Sequence, residues 1–118
     1  MMSLINKWRE DYVIWHANRI KIPSFEARNI IRRNITFSGR VQNVGFRLEV
    51  YCLAQRLQLI GWVKNLADGS VEAELQGNES KINFLVNCMK SLKRASVQNI
   101  TSIDLPLQDS EDSFVIRK

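Results

Sequence analysis

Gly39-Arg40-Val41-Gln42-Asn43-Val44-Gly45-Phe46-Arg47 joins two kinds of periodicity. Before it, Ile35 and Phe37 alternate with Asn34, Thr36 and Ser38, the period-two pattern of a half-buried strand over residues 32–39. After it, Phe46, Val50, Leu53, Ala54 and Leu57 recur at helical spacing over residues 46–58, with Glu49, Gln55, Arg56 and Gln58 expected to face water. A strand-to-helix turn of this kind suits an anion. The first N–H groups of a helix have no acceptor within it and sit at the positive end of its dipole, and a curved loop before them adds further donors. Arg47, in the first turn, offers a planar fork for phosphate oxygens. Its plainer alternative is a surface ion pair at a helix start.

The rest of the chain supplies the partners of that unit. Ile60–Asn65 reads as a second strand and residues 71–76 as a third, joined through Ala67-Asp68-Gly69, a tight-hairpin signal because Asp-Gly accommodates positive φ. Residues 79–92 form a second amphipathic helix with Ile82, Leu85, Val86, Met89 and Leu92 on its apolar face. Residues 97–105 give a fourth strand that Pro106 ends, and Phe114–Ile116 a short last strand at a sheet edge. Strand, helix, strand, strand, helix, strand is the order of an α+β, ferredoxin-like split βαβ sandwich. It implies a mixed sheet covered on one face by two helices, here with an extra strand. In that arrangement the first two strands run parallel, so Arg47 and Asn65, after their C-terminal ends, lie at one edge of the sheet. Asn65 also fits a plainer role, closing a strand in a turn.

Two segments, Gly39 to Arg47 and Gly61-Trp62-Val63-Lys64-Asn65, together with their spacing, resemble the acylphosphatase family, whose signatures are a Gly-x-Val-Gln-Gly-Val-x-Phe-Arg loop and a Gly-Trp-Val-x-Asn segment. The resemblance covers about residues 34–118. It implies hydrolysis of the carboxyl–phosphate bond of a small acyl phosphate, without metal or cofactor. By the same resemblance Arg47 and amides of the loop residues Gln42, Asn43, Val44, Gly45 and Phe46 hold the phosphoryl group. Asn65 orients the attacking water, and the substrate's own phosphate accepts its proton. The residues agree with that chemistry in one respect: no nucleophile or base stands beside Arg47, so the substrate must already be reactive. Trp62 and Phe46 read as core packing. Asn43 departs from the family's Gly, although Asn tolerates left-handed backbone best among non-Gly residues. Ser91-Leu92 replaces the family's usual Gly-Pro, in a turn distant from Arg47 in sequence. The alternative that Asn43 keeps open is a catalytically weak or inactive module that binds anions and uses its N-terminal helix for protein contacts.

Residues 1–33 stand outside the family pattern, as an extension to a domain spanning 34–118. Leu4, Ile5, Trp8, Tyr12 and Trp15 recur at helical spacing and predict an amphipathic helix over residues 3–20 with an aromatic docking face, either on its own domain or in a homodimer. The net charge of +5 divides into +4 for residues 1–34 and +1 for the remainder, so basicity belongs to the extension. Nucleic acid is not an expected partner, because helical spacing of the aromatics suggests burial and not a stacking surface. At 118 residues the chain has room for one ordinary core. No apolar run approaches the roughly 20 residues of a membrane span, and no signal-peptide pattern opens the chain, so no membrane partner and a cytoplasmic location are expected. Cys52 and Cys88 read as buried small hydrophobes, and His16 has no companion ligand, so no metal is expected.

Overall fold

A computed structural model describes residues 4–118, with side chains from residue 7 onward. Ser3 and the side chains of Leu4 and Ile5, assigned above to the N-terminal helix, lie outside the described residues. The elements are α1 (Leu4–Arg19), β1 (Ile30–Arg40), α2 (Phe46–Arg56), β2 (Ile60–Asn65), β3 (Val71–Asn78), α3 (Glu79–Lys90), β4 (Ser96–Leu105) and β5 (Phe114–Ile116). They build one sheet in the order β4-β1-β3-β2-β5. β3 is antiparallel to both β1 and β2, so those two run parallel to each other as the split βαβ order requires. β5 adds to β2 in parallel at the edge. This is the ferredoxin-like α+β fold.

Side-chain alternation assigns the two faces. Ile35, Phe37, Val63, Val71, Ala73 and Leu75 point to one side and are buried together with Phe46, Val50, Leu53, Ile82, Leu85 and Met89 from α2 and α3. Burying these side chains supplies the main drive for folding, about 1.5–3 kcal/mol for each large one. The opposite face is polar and carries Arg32, Asn34, Glu72, Glu74 and Gln76. Asn78 ends β3 and caps α3, its side chain accepting the N–H of Ser80 at 2.8 Å. Cys52 and Cys88 are free and half-buried. Burial pushes both thiols above their ordinary pKa, and the charge of Glu49 adds to it.

Three sequence expectations are corrected. Glu49 does not face water: it is fully buried, because α1 docks over that side of α2. Trp62 is buried, but on the helix-free face, where the Arg117 guanidinium lies 4.7 Å from its ring centroid; β-alternation with the core residue Val63 sends it there. The aromatic stripe of α1 is not its docking face. Trp8, Tyr12 and Trp15 remain 62, 50 and 54% exposed, while Val13 and Ala17 are fully buried. Small residues let α1 approach α2 closely, and the aromatic rings stay outside, with Arg19 stacked on Trp15 at 4.7 Å.

Candidate active site

The turn between β1 and α2 keeps its donors free. Asn43 and Gly45 both adopt left-handed backbone, with φ of 61° and 75°. These two residues curl the chain into a cup, the conformation for which Asn and Gly are best suited. Gly45 is also the N-cap of α2 and carries no capping side chain. The first turn of α2 is therefore left uncapped. Among the described residues, the backbone N–H groups of residues 42–48 donate to no protein acceptor.

The loop is anchored at both ends. The Gln42 side chain donates to the carbonyl oxygens of Leu66 at 2.7 Å and Ser70 at 2.9 Å, so it ties the cup to the β2–β3 hairpin and is not itself turned into the cup. That hairpin is held by Asp68, which accepts from the Ser70 hydroxyl at 2.6 Å and the Ser70 N–H at 3.0 Å. The Ser70 hydroxyl, more than its amide, holds the Asp68 carboxyl below the ordinary carboxylate pKa. Behind the cup, Arg94 donates through Nε to the Val44 carbonyl at 2.6 Å and through Nη2 to the Gly45 carbonyl at 3.3 Å. The same Nη2 lies 2.6 Å from Glu49 Oε1, and Glu49 Oε2 lies 2.8 Å from His16 Nδ1.

In front of the cup lies a cavity of about 360 Å³, within the usual size range of small-molecule sites. Asn43, Gly45, Phe46, Arg47 and Asn65 line it, so Arg47 and Asn65 share one space as the parallel strand arrangement anticipated. Gln42 and Val44 do not line it with their side chains. Arg47, which lines the cavity, is steadied by donating through Nη1 to the Arg117 carbonyl at 3.2 Å, and its Nε and Nη2 donate to no protein acceptor among the described residues. Phe46 is nearly fully buried against Phe37, edge to face at 5.1 Å between centroids, which locks the first turn of α2 onto the sheet.

Sequence reasoning missed the wall that α1 builds. Arg9, Glu10 and Val13 line the same cavity, with Leu48 and Ile116. It also missed Arg94, Glu49 and His16. None of the three carries a local signal: they lie in an inter-element turn, in a helix and in an extension, and only folding assembles them. The turn that holds Arg94 is the one where Ser91-Leu92 replaces the family's Gly-Pro; distant in sequence, it returns directly to the cup.

The acylphosphatase family profile matches residues 33–116. An acylphosphatase of Clostridium beijerinckii is 40% identical over 89 residues, which are 75% of this chain and 99% of the relative. One of Bifidobacterium longum is 39% identical over 85 residues, 71% of this chain and 88% of the relative. Among solved structures, an acylphosphatase from Bacillus subtilis superposes with a TM-score of 0.70 at 32% identity, covering 75% of this chain and 99% of that one. An acylphosphatase from Coxiella burnetii gives 0.70 at 36% identity, covering 75% and 94%. With the profile spanning most of the chain and both signature segments meeting at one cavity, this chain belongs to the acylphosphatase family.

Proposed function

We propose that the cavity binds a small acyl phosphate and hydrolyses its carboxyl–phosphate bond to a carboxylate and inorganic phosphate. One observation carries this reading: Asn43, Gly45, Phe46, Arg47 and Asn65 line one cavity, beside a loop whose backbone N–H groups at 42–48 have no protein acceptor among the described residues. The phosphoryl group rests in the cup, where the amides and Arg47 neutralise its oxygens. The Asn65 side chain orients a water molecule for in-line attack on phosphorus. As the water oxygen bonds to phosphorus, the bond to the carboxylate oxygen breaks, and the substrate's own phosphate takes the water's proton. The carboxylate is a good leaving group, so positioning and charge stabilisation are the protein's task. Glu10, the one carboxylate among the residues lining the cavity, is exposed to solvent and has Arg9 beside it in sequence on the same wall.

The active reading stands above that of a silent anion-binding module, because Asn43 adopts the left-handed backbone the loop requires and the relatives named above are acylphosphatases. We assign residues 34–118 to the acylphosphatase domain and residues 1–33 to an extension, and place the reaction in the cytoplasm. Among the described residues no helix is long and apolar enough to cross a membrane. Steady-state hydrolysis of benzoyl phosphate without added metal tests the proposal. Turnover should fall at least about a hundredfold in Arg47→Ala and in Asn65→Ala, the scale of losing one preorganised charge-stabilising or orienting group. Native rates in both variants, with folding verified by circular dichroism, would remove these residues from the mechanism.

A further inference from the structure

The phosphoryl cup requires its amides to turn forward and its carbonyls to turn back. In a trans peptide the carbonyl oxygen of one residue and the N–H of the next point in opposite directions across the same plane. Whatever holds the Val44 and Gly45 carbonyls behind the loop therefore aims the Gly45 and Phe46 N–H groups into the cavity. For Val44 the holder is Arg94, donating at 2.6 Å; the Gly45 carbonyl accepts the Glu49 N–H of α2 at 3.0 Å, and Arg94 adds a longer bond to it at 3.3 Å.

Arg94 is in turn fixed by a carboxylate shut off from bulk solvent. Glu49 is fully buried in the first turn of α2, between Arg94 at 2.6 Å and His16 at 2.8 Å. A buried carboxylate is tolerated only when its oxygens are matched by donors, so Arg94 and His16 together keep it in place. His16 belongs to α1, outside the matched residues 33–116. Two further contacts seat α1 on the loop. Val13 is buried directly against Gly45, and the Tyr12 ring lies 5.7 Å from the Arg94 guanidinium carbon.

We infer that Arg94 is a positioning residue for phosphoryl binding, oriented by Glu49, and that the N-terminal helix takes part in the active site by holding Glu49 through His16. The inference rests on the phosphoryl-binding reading of the cup. It assigns a role to the extension as the rear support of the loop. A guanidinium is required, because three acceptors from two elements are met by one planar fork, and an ammonium on a single stem cannot span them.

The test compares the intact chain with Arg94→Lys, His16→Ala and, as reference, Arg47→Ala. It reads KM and kcat for benzoyl phosphate, the Kd of inorganic phosphate by calorimetry, and Tm. Arg94→Lys keeps the charge beside Glu49, so Tm should stay near native. KM and the phosphate Kd should rise together roughly tenfold as the fork's charge-assisted contacts are lost, with kcat changed less. His16→Ala should shift both in the same direction by roughly threefold, as the loss of one hydrogen bond at the far end of the relay. Native phosphate affinity in Arg94→Lys, with only Tm lowered, would overturn the inference and leave Arg94 a purely structural residue. If Arg94→Lys does not fold, the double variant Arg94→Met, Glu49→Leu removes both charges at once and should show the same loss of phosphate affinity. Native affinity in it would overturn the inference equally. Phosphate binding without any turnover by the intact chain would sink the hydrolysis reading instead, and the calorimetric comparison would still decide the role of Arg94.

Discussion

At position 45 two demands meet on one residue. Gly45 has a φ of 75°, and a Cβ built on it would collide with the Val13 side chain. Gly45→Ala therefore incurs the left-handed penalty of about 1–2 kcal/mol and also pushes α1 off the loop. Urea unfolding should show a loss of at least that size, accompanied by weaker phosphate binding. An unchanged midpoint would mean that the loop relaxes without strain. Asn43, with its φ of 61°, carries the same backbone burden, and its side chain lines the cavity where the family pattern has Gly. Tolerance of left-handed backbone by Asn was readable from residue type alone. The fate of Glu49 was not, since it sits at the flank of the apolar face, three residues after Phe46 and four before Leu53, and only the docking of α1 closes that flank.

α1 shows how far the pattern of a single element can mislead. Its largest apolar side chains form a stripe, and hydrophobicity alone selects that stripe as the docking face. The structure uses instead a seam of small residues, Val13 and Ala17, reinforced by polar anchors. One anchor closes the helix end: Arg56 of α2 donates through Nη1 to the carbonyl oxygens of Ala17 at 2.6 Å and Ile20 at 2.7 Å. These carbonyls belong to the last turn and the residue beyond it, where helix acceptors otherwise lack partners and a cation is favoured. Arg56→Ala should lower the opening free energy of the last turn of α1 by about 1–2 kcal/mol. Hydrogen exchange would report this as faster exchange in α1, with the sheet amides of β1 and β3 unchanged. Equal acceleration in the sheet would mean that α1 and the domain unfold as one unit.

At the scale of the molecule, the sheet separates two kinds of stabilisation. One face is apolar and covered by α2 and α3. The other is knitted by ions around Arg32, which is almost fully buried and donates to Glu74 at 2.7 Å, Glu111 at 2.7 Å and Gln76 at 3.2 Å. Burial opposes the Arg32 charge, but the bonds to Glu111 and Glu74 more than offset it, so its pKa stands above the ordinary arginine value. Arg32 thereby joins β1, β3 and the segment before β5, whose neighbour Arg117 steadies Arg47. Arg32→Met strands two carboxylates and should cost about 3 kcal/mol in urea unfolding, the lower end for a broken buried pair because both carboxylates keep some contact with water. A loss below about 0.5 kcal/mol would show that water replaces the guanidinium freely.

The element order, the parallel relation of β1 and β2, and the meeting of Arg47 with Asn65 were legible in the sequence by itself. They follow from local periodicity and from the handedness of the split βαβ unit, both carried by short stretches of chain. The family was legible as well, because its two signatures lie in contiguous segments. The tertiary structure alone decided which side of α1 docks, that Glu49 is buried, and that Arg94 and His16 stand behind the phosphate loop. These contacts join residues 33 to 50 positions apart, and no local pattern encodes them. They arise from which surfaces fit when the elements pack: small residues allow close approach, and a buried carboxylate must find its donors wherever the fold brings them.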